Sequence, residues 1–160
     1  MTATLSACAA LSSTMSGKDI KERDDGKTQI NLSKREANLY SPLALAFLGD
    51  SVYEQLVREK LILHANMPAG KLHGLAVKYV CAEFQSAACD TISDILSEDE
   101  LDIMRRGRNS SGINPPKHSS VLQYRRATSL ECLFGYLYLL GEKQRIEELF
   151  ERIWASVVIE

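Results

Sequence analysis

Two stretches of this chain are apolar around most of a helical turn, and each carries an acid where an acid is least welcome. One is Leu43-Ala44-Leu45-Ala46-Phe47-Leu48-Gly49-Asp50-Ser51-Val52-Tyr53. The other is Ala127-Thr128-Ser129-Leu130-Glu131-Cys132-Leu133-Phe134-Gly135-Tyr136-Leu137-Tyr138-Leu139-Leu140. A helix that is hydrophobic on most sides is a buried helix, so both Asp50 and Glu131 are expected inside the fold. A buried carboxylate is costly unless it is neutralised or given a cation. Two of them converging on one cavity would suit a hard divalent metal. Gly49 and Gly135 sit beside the acids, inside the same helices. Mid-helix glycine costs about 1 kcal/mol relative to alanine, a loss that close approach of a second helix can offset. The sequence thus points to two tightly packed helices with a carboxylate metal site between them.

The rest of the chain reads as helix as well. Ser41-Pro42 is a helix start, with serine as N-cap and proline at the first helical position. That helix is expected to run to about Leu63 and to close at His64-Ala65-Asn66 and Pro68. A second long helix is expected from about Ala69 to Leu96, with Leu72, Leu75, Ala76, Tyr79, Val80, Glu83 and Phe84 along one stripe. Ser97 followed by Glu98, Asp99 and Glu100 is a capping box, and Arg105, Arg106 and Arg108 close that helix where its dipole favours cations. Residues 109 to about 119 are loop, marked by Gly112, Pro115 and Pro116. A fourth helix covers roughly Ser120 to Leu140 with Gly141 as its C′ residue, and a fifth runs from Glu142 to about Val158. Nothing alternates like a strand. The fold class is all-α, a helical bundle over residues 39–160, preceded by a polar, aperiodic, flexible leader over residues 1–38.

Composition excludes several classes. The 160 residues, 45% hydrophobic and 25% charged, suit one soluble domain. Asp50 and Glu131 interrupt the two best apolar runs, so no membrane span is expected. Cys8, Cys81, Cys89 and Cys132 lack zinc-ligand spacing. They read as reduced thiols, with Cys81, Cys89 and Cys132 as small core residues, which favours a cytoplasmic location. The first residues lack a basic n-region and make a poor signal peptide; an organellar transit segment is the lesser alternative. Net charge is −2, yet no acid lies between Asp102 and Glu131, where Arg105, Arg106, Arg108, Lys117, Arg125 and Arg126 carry +6. A basic stripe on an otherwise acidic body is an electrostatic footprint for nucleic acid, although charge runs are also commonly just solvated. Glu54 and Arg58 have the i, i+4 spacing of a surface ion pair, and Tyr136, Tyr138 and Trp154 read as core or dimer contacts.

Phe47-Leu48-Gly49-Asp50-Ser51-Val52-Tyr53-Glu54 closely resembles the signature helix of ribonuclease III enzymes. Leu130-Glu131-Cys132-Leu133-Phe134-Gly135-Tyr136-Leu137-Tyr138-Leu139 resembles the second acidic helix of that domain. The segments Met104-Arg105-Arg106-Gly107-Arg108-Asn109, Pro115-Pro116-Lys117 and Gln123-Tyr124-Arg125 look like the basic loop of the Mini-ribonuclease III branch, a stand-alone catalytic domain without a double-stranded-RNA-binding module. The resemblance covers about residues 40 to 158. Two positions that are acidic in full-length ribonuclease III are Ala46 and Thr128 here, a thinning the Mini branch shares.

The resemblance implies a magnesium-dependent endoribonuclease that cuts double-stranded RNA, acts as a homodimer and matures the 23S ribosomal RNA precursor. Asp50 and Glu131 would be both its catalytic residues and its metal ligands, with Mg2+ as cofactor. Arg105, Arg106, Arg108, Lys117, His118, Arg125 and Arg126 would contact RNA phosphates. The competing expectation is a non-catalytic ribonuclease-III-like domain that binds structured RNA or the ribosome.

Overall fold

The computed structural model describes residues 30–111 and 120–159. Seven helices follow one another: α1 (Lys34–Ala37), α2 (Pro42–His64), α3 (Ala69–Val80), α4 (Ala82–Ile92), α5 (Glu98–Arg108), α6 (Val121–Leu139) and α7 (Lys143–Trp154). No strand occurs among the described residues, so the expected all-α class holds. The helix starts follow the sequence signals. The Ser41 hydroxyl accepts from the Ala44 amide at 3.2 Å, and Pro42 opens α2. At α5 the Ser97 hydroxyl and the Glu100 carboxylate exchange the two bonds of a capping box. Gly141, at φ 74°, follows α6 as its C′ residue.

Helix α6 is the axis of the domain. Eleven of its residues are buried, including Leu130, Cys132, Leu133 and Phe134 at 0% exposure. Its most extensive partner is α2, with α5 and α4 packed on other sides. The α2–α6 contact is made by backbone. A Cβ added at Gly49 would lie 1.7 Å from the Glu131 carbonyl oxygen, and one added at Gly135 would lie 2.0 Å from the Leu45 carbonyl oxygen. Only glycine permits that approach, which is the compensation expected for two glycines inside helices. Below the crossing, Tyr53 of α2 stands edge-on to Phe134 (5.4 Å between centroids) and Phe150 (5.6 Å), joining α2, α6 and α7 in one aromatic core.

Four sequence expectations need correction. The long second helix is two helices, because Cys81 is extended (φ −69°, ψ 154°). The reason is rotational. In one continuous helix at about 100° per residue, Gln85 would stand about 240° from Tyr79, yet both are buried. The break turns each helix's apolar face to the core. As a consequence Cys81 is exposed, whereas Cys89 and Cys132 are buried as expected. The ordered body also begins before residue 39. Leu32 donates to the Leu139 carbonyl at 2.8 Å, Ser33 and Glu36 form a capping box for α1, and Ala37 is fully buried. The rest of the expected leader, residues 1–29, lies outside the described residues. Lastly, α2 is not buried on every side: Phe47 is 83% exposed and Leu43 40%.

Away from the crossing, one buried charge is fully paired. Glu100 is 6% exposed and receives Arg145 Nε at 2.8 Å and Nη2 at 2.9 Å; Nη2 also donates to the Ile95 carbonyl at 2.6 Å. Burial opposes the Glu100 charge, but the hydrogen bonds from Arg145 and Ser97 outweigh it and hold the carboxyl below its usual range.

Two predictions follow from these contacts. Gly49→Ala should destabilise the fold by about 3 kcal/mol or more, read by urea denaturation, because the methyl group meets the α6 backbone rather than a flexible side chain. Arg145→Met should cost about 3 kcal/mol at neutral pH. Since the Glu100 pKa is depressed, its contribution is present above the ordinary carboxylate value of 4.5 and is lost as pH falls through the lower folded value. Thermal melts of the two proteins should therefore converge in acid.

Candidate active site

The glycine crossing decides where the two acids go. Asp50 follows Gly49 directly, and the Gly49 backbone lies against the Glu131 backbone, so both carboxylates leave the contact of α2 and α6 at the same level. They differ in environment, which corrects the expectation that both are buried. Asp50 is solvent-exposed and Glu131 is partly buried. What burial Asp50 has, followed by the charge of Glu54, raises its carboxyl above the ordinary range. Glu131 is pushed up to about 7, first by burial and then by the negative charge of Asp50. Among the described residues no cation lowers either group. Nature tolerates two mutually repelling carboxylates at such a place when a cation joins them.

Ala46 and Thr128 add no carboxylate to the pair. Ala46 has no donor atom, and the Thr128 hydroxyl donates to the Tyr124 carbonyl at 3.0 Å; both residues are buried. Among the described residues no group of three or more His, Cys, Asp or Glu side chains is arranged to hold a metal. The residues do fit a magnesium ion, which commonly takes one or two carboxylates and keeps several waters. Thiol chemistry has no foothold here, since burial pushes the Cys132 thiol up to about 12 and raises that of Cys89.

One site residue escaped the sequence reading. Gln85 of α4 is 1% exposed, and neither amide atom completes a hydrogen bond among the described residues. It lies against Glu131 and is the neighbour that favours that carboxylate's charged form, though without the geometry of a full hydrogen bond. The available signal was a long amide among small residues, Gln85-Ser86-Ala87-Ala88. A continuous helix through Cys81 placed it off the buried stripe, which hid it.

The basic residues divide by what holds them. Arg106 donates to Asn38 Oδ1 at 2.8 Å and to the Asn38 and Tyr40 carbonyls, tying α5 to the start of α2. Arg126 donates to the Ser86 carbonyl at 2.9 Å and to Asp90 at 2.5 Å, tying α6 to α4. Arg105 pairs with Asp102. Arg108 and Arg125 are exposed. Arg105, Arg108 and Arg126 line a single groove with Asp90, Met104 and Ser129. Lys117 and His118 lie outside the described residues. The Glu54–Arg58 pair forms as expected, at 2.6 Å. No helix among the described residues is long and apolar enough to cross a membrane.

Comparison with known proteins supplies the family. Residues 43–142 match the ribonuclease III domain. A Mini-ribonuclease 3 from Thermoanaerobacter sp. is 46% identical over 120 residues, covering 75% of this chain and 84% of the relative. A Mini-ribonuclease 3 from Brevibacillus brevis is 41% identical over 123 residues, covering 77% and 92%. The crystal structure of a Fusobacterium nucleatum protein superposes with a TM-score of 0.66 at 30% identity, covering 72% of this chain and 93% of that one. The acidic crossing and the helices that build it fall within the matched segment, and the chain belongs to the ribonuclease III family, in its Mini-ribonuclease 3 branch, as an endoribonuclease.

Proposed function

We propose that this endoribonuclease cuts double-stranded RNA with magnesium held by Asp50 and Glu131, that it acts as a homodimer, and that its substrate is the 23S ribosomal RNA precursor. The observation that carries the reading is the pair itself: two acids at one helix crossing, both with raised pKa and neither with a cation among the described residues. When bound there, a divalent ion supplies an activated water and charge neutralisation at the scissile phosphate. The chain's own part is to present two oxygen donors on rigid helices, so that no side chain need reorganise. Arg108, which lines the groove with Arg105 and Arg126, and the exposed Arg125 would neutralise backbone phosphates of the bound RNA. A-form duplex is selected by shape and phosphate spacing rather than by base edges.

The second copy is supported by an apolar face that the single chain leaves bare. Leu39 (81%), Leu43 (40%) and Phe47 (83%) are exposed along the start of α2 and the turn before it. A contiguous apolar patch of this kind marks an interaction site. Because Phe47 is one turn from Asp50, a partner on that face would bring a second acidic pair close by. The substrate and the cytoplasmic location rest on likeness to the Mini branch and on the buried free thiols of Cys89 and Cys132.

Three outcomes check this reading. Asp50→Asn should abolish cutting of a precursor stem in magnesium while light scattering still reports a dimer. Phe47→Asp should shift the protein to monomer and cut cleavage sharply. For pH, the charged form of Glu131 is the ligand, so magnesium affinity, and the rate at sub-saturating magnesium, should fall as pH drops below about 7, approaching tenfold per unit. A magnesium affinity that stays flat between pH 6 and 8 would remove Glu131 from the metal site.

A further inference from the structure

Among the described residues three buried side-chain polar atoms lack a partner, the Tyr53 hydroxyl and both amide atoms of Gln85, and of these two residues Gln85 is the one that acts on Glu131. It is 1% exposed, and its Nε2 and Oε1 both lack a hydrogen-bond partner among the described residues. Leaving a buried amide unsatisfied is costly, so its retention next to Glu131 needs a reason. The packing fixes the placement. Ser86, the next residue, has its carbonyl clamped by Arg126 at 2.9 Å and 3.2 Å, and Cys89 one turn on lies 3.4 Å from the Arg126 carbonyl. Those contacts fix the face of α4 that meets α6, and with it the direction of Gln85. Ala46 and Thr128 bring no carboxylate to the cavity, and among the described residues Gln85 is the neutral polar side chain that acts on Glu131.

We propose that Gln85 is a positioning residue of the acidic site: when a divalent cation is held by Asp50 and Glu131, the Gln85 amide N–H would donate to the Glu131 carboxylate and hold it in place for the ion, and its amide oxygen would be satisfied in the same step. This deepens the metal reading above and depends on it. An amide suits the task because it is neutral, adding no third charge to Asp50 and Glu131, and because it offers both a donor and an acceptor. Partners of metal-ligating carboxylates of this kind tune affinity rather than create it.

The test uses Gln85→Leu, with Gln85→Met as a second apolar replacement of similar length, and follows the full-length protein. Mg2+ binding is measured by calorimetry and by the rise in melting temperature on adding MgCl2. The Mg2+ concentration for half-maximal cutting of a duplex RNA is read alongside. The variants should melt at or above the wild-type temperature without metal, since two unsatisfied polar atoms are gone. Their Mg2+ affinity should fall by about tenfold or more, with the half-maximal Mg2+ concentration rising to match and the rate at saturating Mg2+ changing far less. Asp50→Asn is the control. If wild type responds to Mg2+, Asp50→Asn does not, and both Gln85 variants bind like wild type, the Gln85 assignment falls and the metal site stands. If the apolar variants melt lower with unchanged Mg2+ affinity, Gln85 is only structural. If wild type itself shows no Mg2+ response that Asp50→Asn removes, the metal reading falls and takes this inference with it.

Discussion

The backbone contact between α2 and α6 is the constraint from which the rest of the structure follows. At Gly49 and Gly135 the helices meet main chain to main chain, with no room for a methyl group on either side. Packing this close is unusual, because ordinary side chains hold helix axes about 8–10 Å apart. The contact brings the residues beside the glycines together without long side-chain reach. It also gives α6 its central place, with α4, α5 and α7 filling the space left around it.

The domain treats charge in two opposite ways, and the contrast separates scaffold from site. Glu100 is nearly buried and is fully answered by Arg145 and the Ser97 amide, so that carboxylate is locked and chemically quiet. Arg106 and Arg126 are engaged in a similar manner by carbonyls of neighbouring helices. At the crossing the opposite holds: burial and the charge of Asp50 raise the cost of ionising Glu131, burial and Glu54 raise that of Asp50, and Gln85 beside them is unsatisfied among the described residues. A protein that pairs its buried charges elsewhere leaves such a cluster open where a ligand completes it.

Much of this was legible along the chain. The capping residues Ser41, Ser97 and Ser120 mark helix starts through hydrogen bonds to amides three residues on, which are local and survive any tertiary context. The glycine-acid neighbours on two apolar helices announced the crossing and its two carboxylates. The break at Cys81 was not legible, because each half is good helix and only burial of Tyr79 and Gln85 on one core demands the turn between them. The order in Leu32–Ala37 was hidden for a similar reason: its anchors are the Leu139 carbonyl and a pocket for Ala37, both remote in sequence.

The sequence by itself therefore determined the helices, their ends and the identity of the two acids, since periodicity, caps and apolar runs act within one or two turns. Tertiary structure alone decided that Asp50 is exposed while Glu131 is not, that Phe47 and Leu43 face outward, and that Gln85 is buried where it influences Glu131. Those facts depend on which helix covers which face. That choice is made by packing between residues dozens of positions apart, which no local pattern records.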